Sequence, residues 1–365
     1  MPAFQIGRRR VGDSEPVYFI ADISANHDGE LERARALIHL AAESGADAAK
    51  FQNFRAEQIV SGPGFAALGG QLAHQAAWKK PVTEVYRGAS LPWEWTECLK
   101  RECDRAGIEY FSTPYDLEAV DMLEPWVSVY KIGSGDITWL ELLRAIASKH
   151  KPVLLATGAS DLADVQRAMA AIGEQEQRIC LMQCNTNYSG GRNFPHIHLN
   201  VLRSYALMYP EAVLGLSDHT RGHVAVLGAV ALGAKVIEKH FTDDPSREGP
   251  DHPFSMSPSA WREMVDRTRE MESALGGAVK EVAGNEQETY VVQRRCVRAA
   301  QDLAAGTVLT RDLLAVLRPA PAGCIPPYEI ERLAGRSTRV AISGGVALRW
   351  EMLECPPNDG RLAAG

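Results

Sequence analysis

Eight times in the first 275 residues, a short and almost continuously apolar run ends in polar residues and gives way to a helical pattern. No other feature restricts the fold as tightly. The runs are VYFIADI (17–23), AAKFQNF (48–54), EYFSTP (109–114), VSVYKIG (127–133), PVLLATG (152–158), ICLMQCN (179–185), VLGLSD (213–218) and VIEKHF (236–241). Strands buried on both faces read this way. Between them, Leu31, Ala34, Leu37, Ile38 and Ala41 recur at three- and four-residue steps, with Gly45 placed to end that helix. Residues 261–275 predict another helix, with Ser257 as its N-cap and Pro258 at its first position. Eight strands alternating with helices predict an α/β fold, a (β/α)8 TIM barrel. The rival is a doubly wound open sheet, which the lack of a Gly-rich dinucleotide fingerprint after the first strand disfavours.

After residue 275 the period changes. Residues 276–289 are polar and read as a linker, and 290–355 carry short apolar runs split by Gly and Pro, the pattern of a small β-rich domain. The last ten residues, 356–365, read as a frayed tail. With Lys plus Arg at 39 and Asp plus Glu at 46, the net charge is −7, which disfavours a nucleic-acid coat. No run approaches the roughly 20 apolar residues of a membrane span, and no secretory signal precedes the first strand, so a cytoplasmic protein is expected. Seven cysteines (Cys98, Cys103, Cys180, Cys184, Cys296, Cys324, Cys355) read as buried free thiols, with Cys180 and Cys184 on one strand face. Arg8–Arg10 read as a solvated cluster. The long insertion 55–92 is a candidate substrate-covering segment, with Trp78, Trp93 and Trp95 packing it.

In a barrel, chemistry belongs at the C-terminal strand ends. Those ends hold Asp22, Lys50, Gln52, Thr113, Lys131, Ser134, Asp136, Thr157, Asn185, Tyr188, Ser217, His219, Glu238 and His240. Lys50 and Lys131 lie inside apolar strands, where an unpaired ammonium costs several kcal/mol. Each therefore needs an anion: either Asp22 or Glu238 as a structural partner, or, with hydroxyls from Thr113, Ser134 and Ser217, a bound phosphate or carboxylate. His219 and His240 end neighbouring strands, and Asp218, Glu238 or Asp251 could orient them or complete a divalent metal site. Imidazole with oxygen donors suits Mn, Fe, Co or Zn better than a site made only for Mg. His27, in SANHDGE, fits either the mouth or an ordinary turn.

The ordered motifs ANHDG, ADAAKFQ, FSTPYD, YKIGSGD, LATG, GLSDHT, GAVALGA, IEKHFTDD, EGPDH and FSM closely resemble the sialic acid synthase family. The stretch RRCVRAAQDLAAGTVLTRDLLAVLRP resembles its C-terminal antifreeze-like (SAF) domain. The resemblance spans about residues 17–350. It implies an enzyme that condenses phosphoenolpyruvate with a hexosamine-type aldose to a 2-keto-3-deoxy sugar acid. It also implies a domain-swapped homodimer in which one subunit's SAF domain covers the other's barrel mouth. By motif position, His219 and His240 would hold a divalent metal, usually manganese, with magnesium, cobalt or zinc as alternatives. Lys50, Gln52, Thr113, Lys131, Ser134, Thr157 and Ser217 would bind phosphoenolpyruvate. Tyr188, Glu238, Asp251 and Arg318 would face the sugar, and Asp22, Lys50, Lys131 and Glu238 would carry catalysis.

The chain departs from the family pattern at several points. Asp22 stands where Glu is usual, and Ala156 replaces a phosphate-binding serine, with Thr157 as its possible substitute. QCNTNYSGGRNFP loses the usual His and first Pro, and Thr186 replaces an Asn. These changes leave the acceptor open: N-acetylmannosamine, a bacillosamine-like or other modified hexose, or an unrelated aldehyde of polysaccharide or secondary metabolism. Two rivals stand beside the synthase reading: a Schiff-base keto-acid aldolase using an inward lysine, and a sugar-binding protein that has lost catalysis.

Overall fold

A computed structural model describes residues 2–173, 178–188 and 190–354. The chain begins with a hairpin, β1 (Ala3–Ile6) and β2 (Arg9–Gly12), paired antiparallel from Ala3↔Gly12 to Ile6↔Arg9. The sequence predicts no strand here and a solvated Arg8–Arg10 cluster, of which Arg8 and Arg10 are exposed. In fact Phe4, Ile6 and Val11 are buried in the main core, and Arg9 is half-buried, bonded to Asp47 and lying over the Tyr18 ring. Alternation of Phe4 and Ile6 around a turn at Gly7 (φ 55°) is the local cause.

Eight parallel strands follow: β3 (Tyr18–Asp22), β4 (Ala48–Asn53), β5 (Glu109–Pro114), β6 (Tyr130–Ile132), β7 (Val153–Ala156), β8 (Ile179–Cys184), β9 (Val213–Asp218) and β10 (Ala234–His240). Their order in the sheet is β5-β4-β3-β10-β9-β8-β7-β6, and β5 lies against β6, so the sheet is a nearly closed barrel. The barrel reading therefore holds over the open-sheet rival. The register puts His240 beside Asp22, Asp22 beside Lys50, Gln52 beside Thr113, and Glu238 and Cys184 each beside Ser217. Functional side chains from neighbouring strands thus stand at matched heights at the C-terminal ends.

The helices form where the periodicity predicts them. Leu31–Glu43 buries Ala34, Leu37, Ile38 and Ala41. It ends at Gly45 (φ 91°), where a Cβ would come within 2.6 Å of the Arg262 guanidinium. Pro258–Leu275 starts at Ser257, whose hydroxyl accepts from the Ala260 amide, and buries Trp261, Met264, Val265 and Thr268. The insertion folds into short helices, Ala56–Ile59, Gly62–Ala67 and Val82–Ala89, with a 3-10 turn at Ala73–Ala77. Among the described residues, no helix is long and apolar enough to cross a membrane.

The chain divides into two compact units between Gly276 and Gly277. The second has its own small core of Val297, Leu303, Leu309, Ile325, Leu333 and Leu348 around β11 (Cys296–Ala299) and β12 (Leu314–Leu317), which pair antiparallel. The expected linker contains a 3-10 turn at Gly284–Glu286 and the start of a helix, Gln287–Gln293, all of it exposed. Cys355 and the expected tail lie outside the described residues. The other six cysteines are free, with Cys103, Cys180, Cys184 and Cys296 buried.

Candidate active site

The C-terminal strand ends enclose a cavity of about 310 Å³. Its walls are built by the inward side chains of Asp22, Lys50, Gln52, Thr113, Lys131, Ala156, Cys184, Ser217 and Glu238, with Ser134 and Asp136 from the turn after β6. Lys50 Nζ lies 2.6 Å from Asp22 Oδ2, 3.7 Å from Glu238 Oε1 and 3.5 Å from Thr113 Oγ1. Lys131 Nζ donates to the Ile132 carbonyl at 3.0 Å and stands 3.7 Å from the same Glu238 oxygen. Gln52 donates to Asp22 Oδ2 at 3.3 Å, and Ser217 Oγ to Glu238 Oε1 at 3.3 Å.

Both lysines are only 2% exposed, so the carboxylates partnering them matter. Burial works to strip the proton from Lys50, but Asp22 and then Glu238 outweigh it and hold the ammonium above its usual range. Of the two partners the sequence allowed, Asp22 therefore claims Lys50. Each carboxylate also has a second oxygen, Asp22 Oδ1 and Glu238 Oε2, that is buried without a partner. Asp136 lies on the same wall. Burial pushes its carboxyl up to about 6, Lys131 opposing, and its Oδ2 also has no partner.

His219 and His240 face one another, ring centroids 5.4 Å apart. His219 Nδ1 is 2.9 Å from the Asn185 carbonyl oxygen, which can only accept, so Nδ1 carries the proton and Nε2 keeps a free lone pair. Burial and the neighbouring His240 push His219 down to about 3, so its ring is neutral. His240 stands 3.6 Å from Asp22 and 3.8 Å from Asp251, beyond hydrogen-bond reach, and its buried Nδ1 has no partner. The expected carboxylate help is otherwise committed. Asp218 turns to the opposite face of β9, where it holds Lys239 and the Thr220 amide and hydroxyl. Asp251 accepts from Ser24 Oγ at 2.6 Å and the Ala25 amide at 3.2 Å. Among the described residues, no three His, Cys, Asp or Glu side chains are arranged to hold a metal ion. A neutral ring with a free nitrogen and a second ring with an orphaned one still fit a divalent ion. Such an ion would take two protein nitrogens and draw its other ligands from substrate or water.

The inner cavity adjoins an outer lobe of about 140 Å³, and Gln52, Ile59, Tyr86, Tyr115, Tyr188 and His240 line both. Asp251 and Ser24 form one side of the outer lobe, and Phe54, His74, Trp78 and Val85 form another. Tyr188 packs on His74, His219 and Phe254, with centroids 4.5, 4.4 and 4.9 Å away. Ile59, His74, Trp78, Val85, Tyr86 and Ala89 of the insertion line the outer lobe. Trp78 is thus part of the cavity wall rather than mere packing, while Trp93 lies under Arg55 and Trp95 against His27.

Two expected positions fall elsewhere. Thr157 does not reach the cavity. Its hydroxyl donates to the Met182 carbonyl and accepts from Tyr205, both at 3.0 Å, and it lines a separate hollow with Ser160 and His198. Strand alternation is the reason: Ala156 points inward, so its neighbour points out. His27 resolves to the turn, its Nδ1 accepting from the Gly29 amide, with burial pushing it down to about 4. Arg318 lies in the second unit, directly after β12. Tyr86 and Tyr115 were missed; both sit among aromatics whose signal in the sequence is that of core residues.

A family model described as the NeuB family matches residues 37–280, and a SAF domain model matches 294–354. The N,N'-diacetyllegionaminic acid synthase of Legionella pneumophila is 33% identical, covering 94% of this chain and 96% of that protein. Human N-acetylneuraminate-9-phosphate synthase is 30% identical, covering 95% of both. Among solved structures, the sialic acid synthetase of Leptospira borgpetersenii, in complex with citrate, superposes with a TM-score of 0.69. It is 28% identical, covering 79% of this chain and 94% of that one.

Proposed function

The chain belongs to the NeuB family, and from that premise and the two-lobed cavity we propose that it condenses phosphoenolpyruvate with an amino-sugar aldose, giving a 2-keto-3-deoxy sugar acid and inorganic phosphate. The sugar-acid synthases among its relatives support the reaction class. The carrying observation is the cavity itself: buried lysines and hydroxyls in the inner lobe, two histidines facing one another on its wall, and an aromatic outer lobe.

In this reading Lys50 and Lys131 bind the phosphate and carboxylate of phosphoenolpyruvate, with Gln52, Thr113, Ser134 and Ser217 fixing their oxygens. The two lysine charges are already balanced by Asp22 and Glu238, so a substrate of about three negative charges needs further positive charge. A divalent ion held by His219 and His240, manganese in this proposal, would supply that charge and polarise the aldehyde oxygen as a Lewis acid. C3 of phosphoenolpyruvate then attacks the aldehyde carbon, water adds at C2, and phosphate leaves with its bridging oxygen by C–O cleavage. The unpartnered oxygens of Asp22 and Glu238 are suited to orient that water and take its proton. Tyr188 and Asp251 hold the sugar, and Arg318 of a second copy of the chain closes the mouth.

The Schiff-base rival requires a neutral amine, and Asp22 holds Lys50 protonated, which disfavours it. The test is metal-stripped protein with phosphoenolpyruvate and a panel of N-acylated hexoses, with and without Mn²⁺, following phosphate release and product mass. Metal-dependent phosphate release with a product of matching mass is expected. Phosphoenolpyruvate binding with no turnover of any acceptor would favour the binding-protein reading, and a borohydride-trapped pyruvate adduct on Lys50 would favour the aldolase.

A further inference from the structure

The second unit holds two thiols that the proposed reaction does not use. Val297 and Ile325 both belong to its small core, and the Val297 amide donates to the Ile325 carbonyl at 2.9 Å. The residues just before them, Cys296 and Cys324, turn the other way, and there their thiols meet. Both are free; Cys296 is fully buried and Cys324 half-buried.

A cation completes the group. Arg298, two residues after Cys296 on β11, shares its face. It donates to the Pro319 carbonyl through Nη2 and to the Gly345 carbonyl at 2.6 Å through Nη1. Its Nε is buried with no hydrogen-bond partner, and the guanidinium lies against the Cys296 sulfur. The Cys296 thiol donates to the same Pro319 carbonyl at 3.2 Å. Burial and then Cys324 push that thiol up, with Arg298 opposing, so Cys296 keeps its proton at rest. Two thiols packed for bulk alone need no cation. A guanidinium beside them stabilises a thiolate as it forms, which thiol–disulfide exchange requires.

We propose that Cys296 and Cys324 form a reversible disulfide, a redox switch that pins the segment following Arg318 to β11. The oxidant is a small disulfide such as glutathione disulfide. The half-buried Cys324 attacks one of its sulfurs as the thiolate, giving a mixed disulfide and releasing one glutathione thiolate. Cys296, deprotonated beside Arg298, then attacks the Cys324 sulfur and releases the second glutathione. The two protein thiols lose two electrons, the glutathione disulfide gains them, and the two thiol protons end on the two glutathiones. The thiol proton that bonded Pro319 is lost, and a covalent link takes over its hold on the segment. The switch stands independently of the synthase reading.

The experiment treats the full chain with excess glutathione disulfide, maps its disulfides by mass spectrometry, and follows amide hydrogen exchange across residues 317–325. One disulfide joining Cys296 to Cys324, reversed by dithiothreitol, is expected. Exchange of the amides within 320–325 should slow by at least about threefold on oxidation. Cys296→Ser should stop at a glutathione adduct on Cys324. Cys324→Ser, a change at the more exposed position that keeps the test valid should Cys296→Ser not fold, should form no disulfide at Cys296 and show no change in exchange. A lasting adduct on Cys324 of the native chain, a disulfide from Cys324 to any other cysteine, or no reaction at all would overturn the proposal. So would a Cys296–Cys324 disulfide that leaves the exchange unchanged.

Discussion

The two lobes of the cavity are built by different means. The inner lobe hangs on hydrogen-bonded strands: register alone brings Asp22 between Lys50 and His240, and each charge has a partner at a set distance. One wall of the outer lobe is made of short helices and turns inserted between β4 and β5, and its contacts are ring on ring rather than ion on ion. A ladder fixes chemistry to a fraction of an ångström, as charge stabilisation requires. An inserted segment can change its side chains without moving the ladder, which suits the choice of substrate. The difference separates what the reaction needs from what the acceptor needs.

That separation can be broken most forcefully at Lys50. Lys50→Met leaves Asp22 buried and unpaired, so it should lower thermal or denaturant stability by about 3–5 kcal/mol and cut kcat/KM by about a thousandfold. A stable, active Lys50→Met protein would mean that the inner lobe's charges are incidental.

Asp136 gives a subtler test. Its folded carboxyl titrates near 6, above its usual 3.8, so the folded state holds the proton more tightly than the unfolded one. Its stabilising effect is complete below about pH 4 and is lost as pH rises through about 6. Asp136→Asn should therefore gain about 1–3 kcal/mol relative to the native chain between pH 4 and 7, measured by denaturant unfolding at several pH values. An unchanged difference across that range would show that the carboxyl is not desolvated.

The smallest effect is expected at Thr157. Its hydroxyl serves Met182 and Tyr205, not the cavity, so Thr157→Val should cost about 1 kcal/mol of stability and change kcat/KM by less than about threefold. A large loss of phosphoenolpyruvate affinity would return Thr157 to the inner lobe.

The barrel was legible because buried parallel strands leave continuous apolar runs, and the inward lysines stood out against them. The partners of those lysines were only half legible. Asp22 and Glu238 are 28 residues or more from Lys50 in sequence, and only the register decides which carboxylate meets which amine. Thr157 was misplaced by a single position, because polarity at a strand end does not reveal on which residue the strand's alternation stops. The histidine pair was foreseen from neighbouring strands. The loss of Asp218 to Lys239 was not, since it depends on which face of β9 each residue takes. The hairpin was overlooked because its basic residues masked a two-residue apolar alternation.

The most direct test of the division is a calorimetric titration of phosphoenolpyruvate into the native chain, Lys131→Met and Trp78→Ala. Lys131→Met, which loses a charge-assisted contact in a buried site, should bind at least about a hundredfold more weakly. Trp78→Ala should change binding by no more than about twofold, since the lost side chain lies in the other lobe. Binding that survives Lys131→Met but fails in Trp78→Ala would show that the inner-lobe charges do not hold phosphoenolpyruvate.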